Sequence, residues 1–218
     1  MDDSVSTEPL DLVGEQILDA ALEQFQLVGI RRSSVEDVAR RAGVSRVTVY
    51  RRFPRKDVLI RAVAEREVRR VVAAIDAETN AIEGFTERVA ESFVVMLRVV
   101  REHPLIKRLL AVEPDEMLRY LTIEGEPVIA IGTAHVADQI RRAQLSGEAP
   151  DYEPEPVAEI MARLAHSLLL TPAGMIPLDD EQAEREFARA HLAPLLLRGA
   201  SSYDESADTS SRSAAGSR

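Results

Sequence analysis

The stretch from Ser34 to Lys56 reads SVEDVARRAGVSRVTVYRRFPRK, and it decides the fold. A serine hydroxyl caps the free N–H groups of a helix, so Ser34 predicts a short helix that runs to about residue 42. Gly43 can adopt the left-handed conformation that ends a helix, and Ser45 is a second capping residue. The β-branched run that follows favours a strand by itself, but the capped turn before it predicts a third helix over residues 46–53.

On both sides of this stretch, apolar residues recur every three or four positions, which is the spacing of an amphipathic helix. It predicts a first helix that ends at Gly29 and a fourth helix that begins after Pro54. Beyond residue 80 it predicts helices over about residues 85–100, 105–112, 127–146, 157–170 and 180–197. Since no run alternates apolar and polar residues in the manner of a strand, the sequence predicts an all-α fold, with a three-helix head and a larger helical body.

This pattern divides the chain into four predicted segments. Residues 1–11 form a disordered N-terminal arm, residues 12–57 the head, and residues 58–198 the helical body. Residues 199–218 are rich in serine and poor in apolar residues, which is typical of a disordered tail.

The composition excludes several classes of function. The chain has no cysteine, so thiolate zinc sites, iron–sulfur clusters and cysteine nucleophiles are absent. No glycine-rich nucleotide motif, nucleophile elbow or His-Glu-x-x-His motif occurs, and no two of the four histidines are four or fewer residues apart. The sequence therefore predicts no catalytic residue, no metal and no cofactor, and a protein that is not an enzyme.

Hydropathy and charge at the N-terminus predict where the protein resides. The first residues are acidic and lack an apolar stretch, unlike a secretory signal. No segment approaches the roughly 20 mostly apolar residues that a membrane span needs. We therefore expect a cytoplasmic protein that makes no contact with membranes.

Charge is distributed unevenly along a chain whose net charge is −10. Residues 1–30 contain seven acidic residues and no Lys or Arg, whereas residues 31–56 contain nine basic residues and two acidic ones. Such a segment is either a phosphate-binding patch or a solvated face rich in arginine.

Two short helices joined by a tight turn after a longer helix form a helix-turn-helix arrangement. Apolar residues occur where such helices pack, and the small Ala39 lies where they approach closely. The third helix would present its N-terminal side chains to base edges in the major groove and the others to phosphates. The outward side chains on this helix are Arg46, Val47, Thr48, Tyr50, Arg51 and Arg52.

Residues 12–60 resemble the DNA-binding head of TetR-family transcriptional regulators, and the match is almost position by position from Ser34 to Ser45 and from Thr48 to Lys56. The resemblance implies that Arg46, Val47 and Thr48 read bases and that Tyr50, Arg52 and Lys56 contact phosphates. Ser33 and Ser34 would hold a phosphate at the N-terminus of the second helix. The chain departs from the family at Val47, where a small residue is frequent, and at Arg52, where His or Tyr is frequent.

The resemblance also implies a homodimer on a partly palindromic, double-stranded DNA operator, with a small-molecule effector in the body. The last two long helices would pack against their copies in a four-helix bundle. Apolar residues beyond the main stripe of the helix over residues 157–170 support a second burial surface. The candidate dimerisation residues are Val157, Ile160, Met161, Leu164, Leu168, Phe187 and Leu195.

Five residues are candidates for effector binding. His135 and Gln139 are four residues apart and share one helix face beside an apolar strip, so they form either the polar edge of a pocket or a locally satisfied pair. Phe93, Met96 and Tyr120 either line such a pocket or belong to the ordinary core.

The sequence predicts a DNA-binding transcriptional regulator, and specifically a repressor that a small molecule releases. An activator, or a regulator without an effector, is an open alternative within DNA binding. A helical interaction protein whose basic helix binds an acidic partner is an alternative from another class. Sequence-dependent affinity for duplex DNA separates these readings, since an acidic-partner binder would not distinguish an operator from a scrambled duplex.

Overall fold

The computed structural model describes residues 12–198, and in that range the chain forms helices and no strand. The prediction of an all-α fold is confirmed. The helices are α1 Leu12–Val28, α2 Val35–Arg41, α3 Arg46–Arg52, α4 Lys56–Thr79, α5 Phe85–Glu102, α6 Pro104–Val112, α7 Pro114–Leu121, α8 Glu126–Leu145, α9 Pro154–Leu170, α10 Glu181–Phe187 and α11 Ala193–Arg198. A π-helical turn, Ala188–Leu192, joins α10 to α11.

Two features of the body differ from the sequence prediction. Helix α7 was not predicted, because the sequence prediction ends one helix at about residue 112, just before Pro114, and begins the next at about residue 127. A proline is well tolerated in the first turn, where its missing N–H would be unpaired, and Pro114 begins α7 in this way. The predicted last helix, over residues 180–197, is interrupted by the π-helical turn. The predicted arm (residues 1–11) and tail (residues 199–218) lie outside the described residues.

The core of the head extends beyond the first three helices. Phe25 of α1 and Val49 of α3 are almost completely buried, and they belong to one apolar cluster with Leu59 of α4. The same cluster includes Leu109 of α6 and Tyr120 of α7. The head is therefore packed directly on two helices of the body, and the predicted boundary at residue 57 lies near the start of the continuous helix α4.

A second apolar cluster holds the body together. Helices α8 and α9 pack along each other through small residues, among them Ala137, Ala143 and Ala158, all of which are fully buried. A Cβ atom at Gly132 would lie 3.3 Å from the Cβ of Ala162, which shows how closely these helices approach. Helices α5 and α11 complete the cluster.

In the part of the chain that the structure describes, every helix is too short or too polar to cross a lipid bilayer.

Candidate nucleic-acid interface and interior cavity

Capping interactions fix the geometry of α2, the turn and α3. The Ser34 hydroxyl accepts a hydrogen bond from the Asp37 backbone N–H at 3.1 Å, and the Ser34 N–H donates to the Asp37 carboxylate at 3.3 Å. Gly43 has a φ of +64°, in the left-handed region that favours glycine. The Ser45 hydroxyl then accepts from the N–H of Thr48 at 3.0 Å and begins α3. The predicted helix-turn-helix is confirmed, and these local bonds explain why the β-branched segment is helical.

Helix α3 has one buried face and one exposed face. Val49 is fully buried against the head core. Val47 is 76% exposed and Arg51 is also exposed, on the side opposite to Val49. Arg46 and Tyr50 flank this exposed face on one side, and Thr48 and the half-buried Arg52 flank it on the other. The helix therefore presents an apolar side chain between charged ones, which suits contact with base edges.

Arg46 is held by two neighbours on the surface of the head. Its Nη1 atom lies 2.6 Å from Glu36 Oε1, and its guanidinium carbon lies 5.2 Å from the centre of the Tyr50 ring. The hydrogen bond with the Tyr50 hydroxyl, and next the charge of Glu36, raise the pKa of Arg46. A contact of Arg46 with a base or a phosphate would therefore compete with its ion pair with Glu36.

The basic segment is less positive in the fold than in the sequence. Five of its arginines have a carboxylate oxygen within 4 Å: Arg31, Arg40, Arg41, Arg46 and Arg55. Arg32 and Arg51 have no such partner within residues 12–198. Arg51 therefore carries the uncompensated charge on the exposed face of α3.

Three predicted phosphate contacts are used differently by the fold. Ser33 is buried and its hydroxyl donates to the carbonyl oxygen of Gly29 at 2.5 Å, so this hydroxyl is already used within the head, and a role for Ser33 at a phosphate stays a prediction. The Ser34 hydroxyl already caps α2, where Asp37 adds a negative charge. Lys56 Nζ donates to the carbonyl oxygen of Ile30 at 2.6 Å, so a phosphate would compete with this bond. Burial lowers the pKa of Lys56, against the opposing influence of Glu113 and then Glu116.

A buried carboxylate joins the head to the body. Glu113 lies between α6 and α7, and its Oε2 accepts hydrogen bonds from the N–H groups of Ile30 at 2.7 Å and Arg31 at 3.2 Å. Gly29 has a φ of +88°, and a Cβ atom there would lie 2.5 Å from Glu113 Oε1. We call Glu113 and residues 29–31 the head–body joint. Sequence reasoning missed Glu113, because nothing local marks a contact that spans 83 residues.

A cavity of about 300 Å³ lies between the two apolar clusters. Its wall runs from Phe25 and Ile30 in the head cluster to Leu192 and Leu196 in the body cluster. All five predicted effector residues contribute to the wall: Phe93, Met96, Tyr120, His135 and Gln139. The structure thus brings them to one site, although ligand contact by each stays a prediction.

The mostly apolar wall also contains polar side chains, among them Ser92, Tyr120, His166 and two hydrogen-bonded pairs. Gln139 Nε2 lies 2.9 Å from His135 Nε2, and His135 Nδ1 lies 3.8 Å from Asp76. Burial lowers the pKa of His135, with Asp76 opposing the shift, which favours the neutral form of the imidazole. The second pair joins Glu67 to His103 at 3.1 Å.

The candidate dimerisation residues separate into three groups. Val157 and Leu168 are buried in the chain's own core, so they offer little surface to a partner, and their assignment to the interface stays a prediction. Met161, Leu164 and Phe187 are half-buried against the same core. Ile160 and Leu195 are 59% and 49% exposed. Among the candidate dimerisation residues, those on the exposed edge of α9 and α11 are therefore the most accessible to a second copy.

Comparisons with known proteins match both parts of the chain. The family model for bacterial regulatory proteins of the tetR family matches residues 17–63, and a model for the C-terminal domain of the bacterial tetracycline repressor matches residues 85–192. An uncharacterized HTH-type transcriptional regulator of Mycobacterium tuberculosis is 28% identical over 197 residues, which cover 89% of this chain and 90% of that protein.

Solved structures share the fold. The TetR-family repressor AlkX from Dietzia sp. strain DQ12-45-1b, implicated in biodegradation of n-alkanes, is 23% identical with a TM-score of 0.65, covering 83% of this chain and 93% of that one. The regulator FadR from Bacillus subtilis, solved in complex with stearoyl-CoA, is 17% identical with a TM-score of 0.53, covering 85% of this chain and 98% of that one. The matches thus extend over the head and the body together.

Proposed function

The chain belongs to the TetR family and is a helix-turn-helix transcriptional regulator that binds DNA, and from this premise we propose a dimeric cytoplasmic repressor that a small molecule releases from its operator. The family is one of regulators, and we propose no catalytic role for this chain. The observation that carries the proposal is the exposed face of α3. The capped ends of α2 and α3 fix the position of this face, and the head that contains it packs on the body.

The side chains on that face support specific roles. Val47 is apolar and 76% exposed, so it can contact the methyl group of a thymine in the major groove. Arg46, at the N-terminal end of α3, can donate two hydrogen bonds to a guanine. Arg51 and Tyr50, further along the helix, can contact phosphates and set the register of the head on the duplex.

Dimerisation would place two α3 helices in successive major grooves, about 34 Å apart. The exposed side chains of Ile160 and Leu195 support a surface that a second copy covers. The Glu159–Arg163 ion pair lies on the exposed side of α9 and can exchange partners across a two-fold axis. The operator would then be a partly palindromic sequence.

Release by a small molecule requires a ligand that prefers one spacing of the two heads. The cavity lies between the two apolar clusters, and the head–body joint connects α6 and α7 to the loop before α2. A molecule in the cavity can therefore displace α6 and α7 and, through Glu113, the head. The FadR neighbour, which was solved with stearoyl-CoA, supports a ligand for a protein of this fold.

The proposal is tested by selection of binding sites from a random duplex library with the purified protein at two salt concentrations. We expect an enriched inverted repeat that is lost with Tyr50→Ala. Recovery of a half-site alone would contradict the dimer. No enrichment at either concentration would contradict sequence reading by the free protein and favour an acidic protein partner for α3.

The Arg46→Ala variant is expected to lose discrimination at one base pair of the selected site by about 1–3 kcal/mol, because its contact carries sequence information. Competition between the operator and single-base variants measures this loss. Arg69→Ala is the matched control, since Arg69 is exposed on α4 and makes an ion pair with Glu65 at 3.1 Å. Equal losses on the operator and on random DNA would contradict the base-reading role of Arg46.

A further inference from the structure

The walls of the cavity contain no arginine or lysine among the described residues. The ionisable side chains that line the cavity are one carboxylate, one tyrosine and three histidines: Glu67, Tyr120, His103, His135 and His166. An anionic group on a ligand would therefore lose its water without gaining a cationic partner, which is costly in an apolar site.

The charge of Glu67 is already balanced by protein groups. Arg70 lies 2.9 Å from one carboxylate oxygen, and His103 lies 3.1 Å from the other. Burial acts to raise the pKa of Glu67, but the hydrogen bond with His103 and the charge of Arg70 outweigh it, and the pKa is lowered. Because this carboxylate is ionised and partnered, a cationic ligand would have to displace an existing pair.

One polar group is suited to a neutral ligand. If Gln139 donates to His135 Nε2, as their distance of 2.9 Å allows, the amide oxygen of Gln139 can accept a hydrogen bond from a hydroxyl. The neighbouring wall is formed by Ile129, Val136 and Met96. This end of the cavity therefore offers one hydrogen bond in apolar surroundings.

We propose that the cavity binds an uncharged, extended aliphatic molecule with at most one hydrogen-bonding group, which lies against Gln139. The proposal rests on the proposed function, in which this cavity is the effector site. The extended shape follows from the wall, which continues from Phe25 in the head cluster to Leu196 in the body cluster. A molecule of this shape contacts both clusters at once.

The test compares 1-decanol, n-decane and decanoate, three probes of equal chain length, by calorimetric titration into the full chain at pH 7.5. We expect 1-decanol to bind at least tenfold more tightly than decanoate. Within a series of alcohols the affinity should rise roughly fourfold for each added methylene until the cavity is full. Decanoate that binds as tightly as 1-decanol, or no binding by either neutral probe, would overturn the proposal.

Two variants locate the binding site. Ala165 lines the cavity, so Ala165→Phe is expected to fill part of it and to weaken 1-decanol binding at least tenfold. Ala77→Phe, on the exposed side of α4, is the control and should leave 1-decanol binding unchanged within twofold. Gln139→Leu should weaken 1-decanol binding roughly fivefold, because one hydrogen bond is lost, and leave n-decane binding unchanged. Equal effects on both probes would contradict the hydrogen bond to Gln139. The ranking of the three probes needs no variant, so a variant that fails to fold leaves the test intact.

Failure of this inference is distinguishable from failure of the proposed function. The calorimetric titration measures ligand binding without DNA, and a separate DNA-binding assay measures release of the operator. A neutral probe that binds in the first experiment but does not release the operator in the second supports the ligand class and contradicts effector-controlled release. An anionic compound that binds in the cavity and releases the operator contradicts the ligand class and supports effector-controlled release.

Discussion

Replacing Gly29 by alanine is expected to lower the free energy of unfolding by about 2–4 kcal/mol. An L-residue in the left-handed region costs about 1–2 kcal/mol, and Gly29 has a φ of +88°. The added Cβ would also lie 2.5 Å from Glu113 Oε1, so the carboxylate must retreat from the N–H groups of Ile30 and Arg31. Each hydrogen bond to a charged group contributes about 1.5–3 kcal/mol, and part of that contribution is lost.

Gly147→Ala is the matched control for this prediction. Gly147 also follows a helix and has a φ of +77°, but a Cβ atom there would have open space around it. Urea unfolding of both variants at one protein concentration therefore separates backbone strain from the contact with Glu113. Equal destabilisation of the two variants would show that the approach of Glu113 to Gly29 contributes nothing.

The Gly29 variant has a functional consequence within the proposed mechanism. If the head–body joint transmits the effect of a ligand, then a displaced Glu113 should reduce the change in operator affinity that the ligand causes. The affinity of the variant for the ligand should stay near that of the original protein, because neither Gly29 nor Glu113 lines the cavity. Unchanged coupling in a folded Gly29→Ala protein would show that the signal takes another route.

Local signals made the head predictable from sequence. Ser34, Gly43 and Ser45 each act within four residues of their own position, so their effect on helix ends can be inferred from order alone. The spacing of His135 and Gln139 likewise placed both on one helix face, and the structure shows them in contact.

Contacts that are distant in sequence were not predictable. The carboxylate of Glu113 reaches the loop at Ile30 across 83 residues, and no local pattern encodes that distance. The apolar stripe of α9 could not separate residues that face the chain's own core, such as Val157, from those that face outward, such as Ile160. Periodicity indicates that a face is apolar, but the partner of that face depends on tertiary packing.

Replacing Arg101 by methionine is expected to destabilise the protein by about 2–3 kcal/mol. A buried ion pair that loses one partner costs about 3–5 kcal/mol, and solvent around Arg101, whose side chain is 43% exposed, reduces that cost. Arg101 of α5 pairs with Glu184 of α10, whose side chain is completely buried. Without the guanidinium, Glu184 is a buried charge with no partner. This loss should affect the attachment of α10 and the π-helical turn to α5, and so the surface proposed for dimerisation.

Arg98→Met is the matched control on the same helix, because Arg98 pairs with Glu78, whose side chain is 47% exposed. An exposed pair contributes about 0–1 kcal/mol, so this variant should be close to the original protein in stability. The double variant Arg101→Met, Glu184→Met should recover most of the lost stability, since it removes the unpaired charge and keeps apolar volume. A deficit that is equal in the single and double variants would show that Arg101 stabilises the fold through packing of its side chain and not by compensating Glu184.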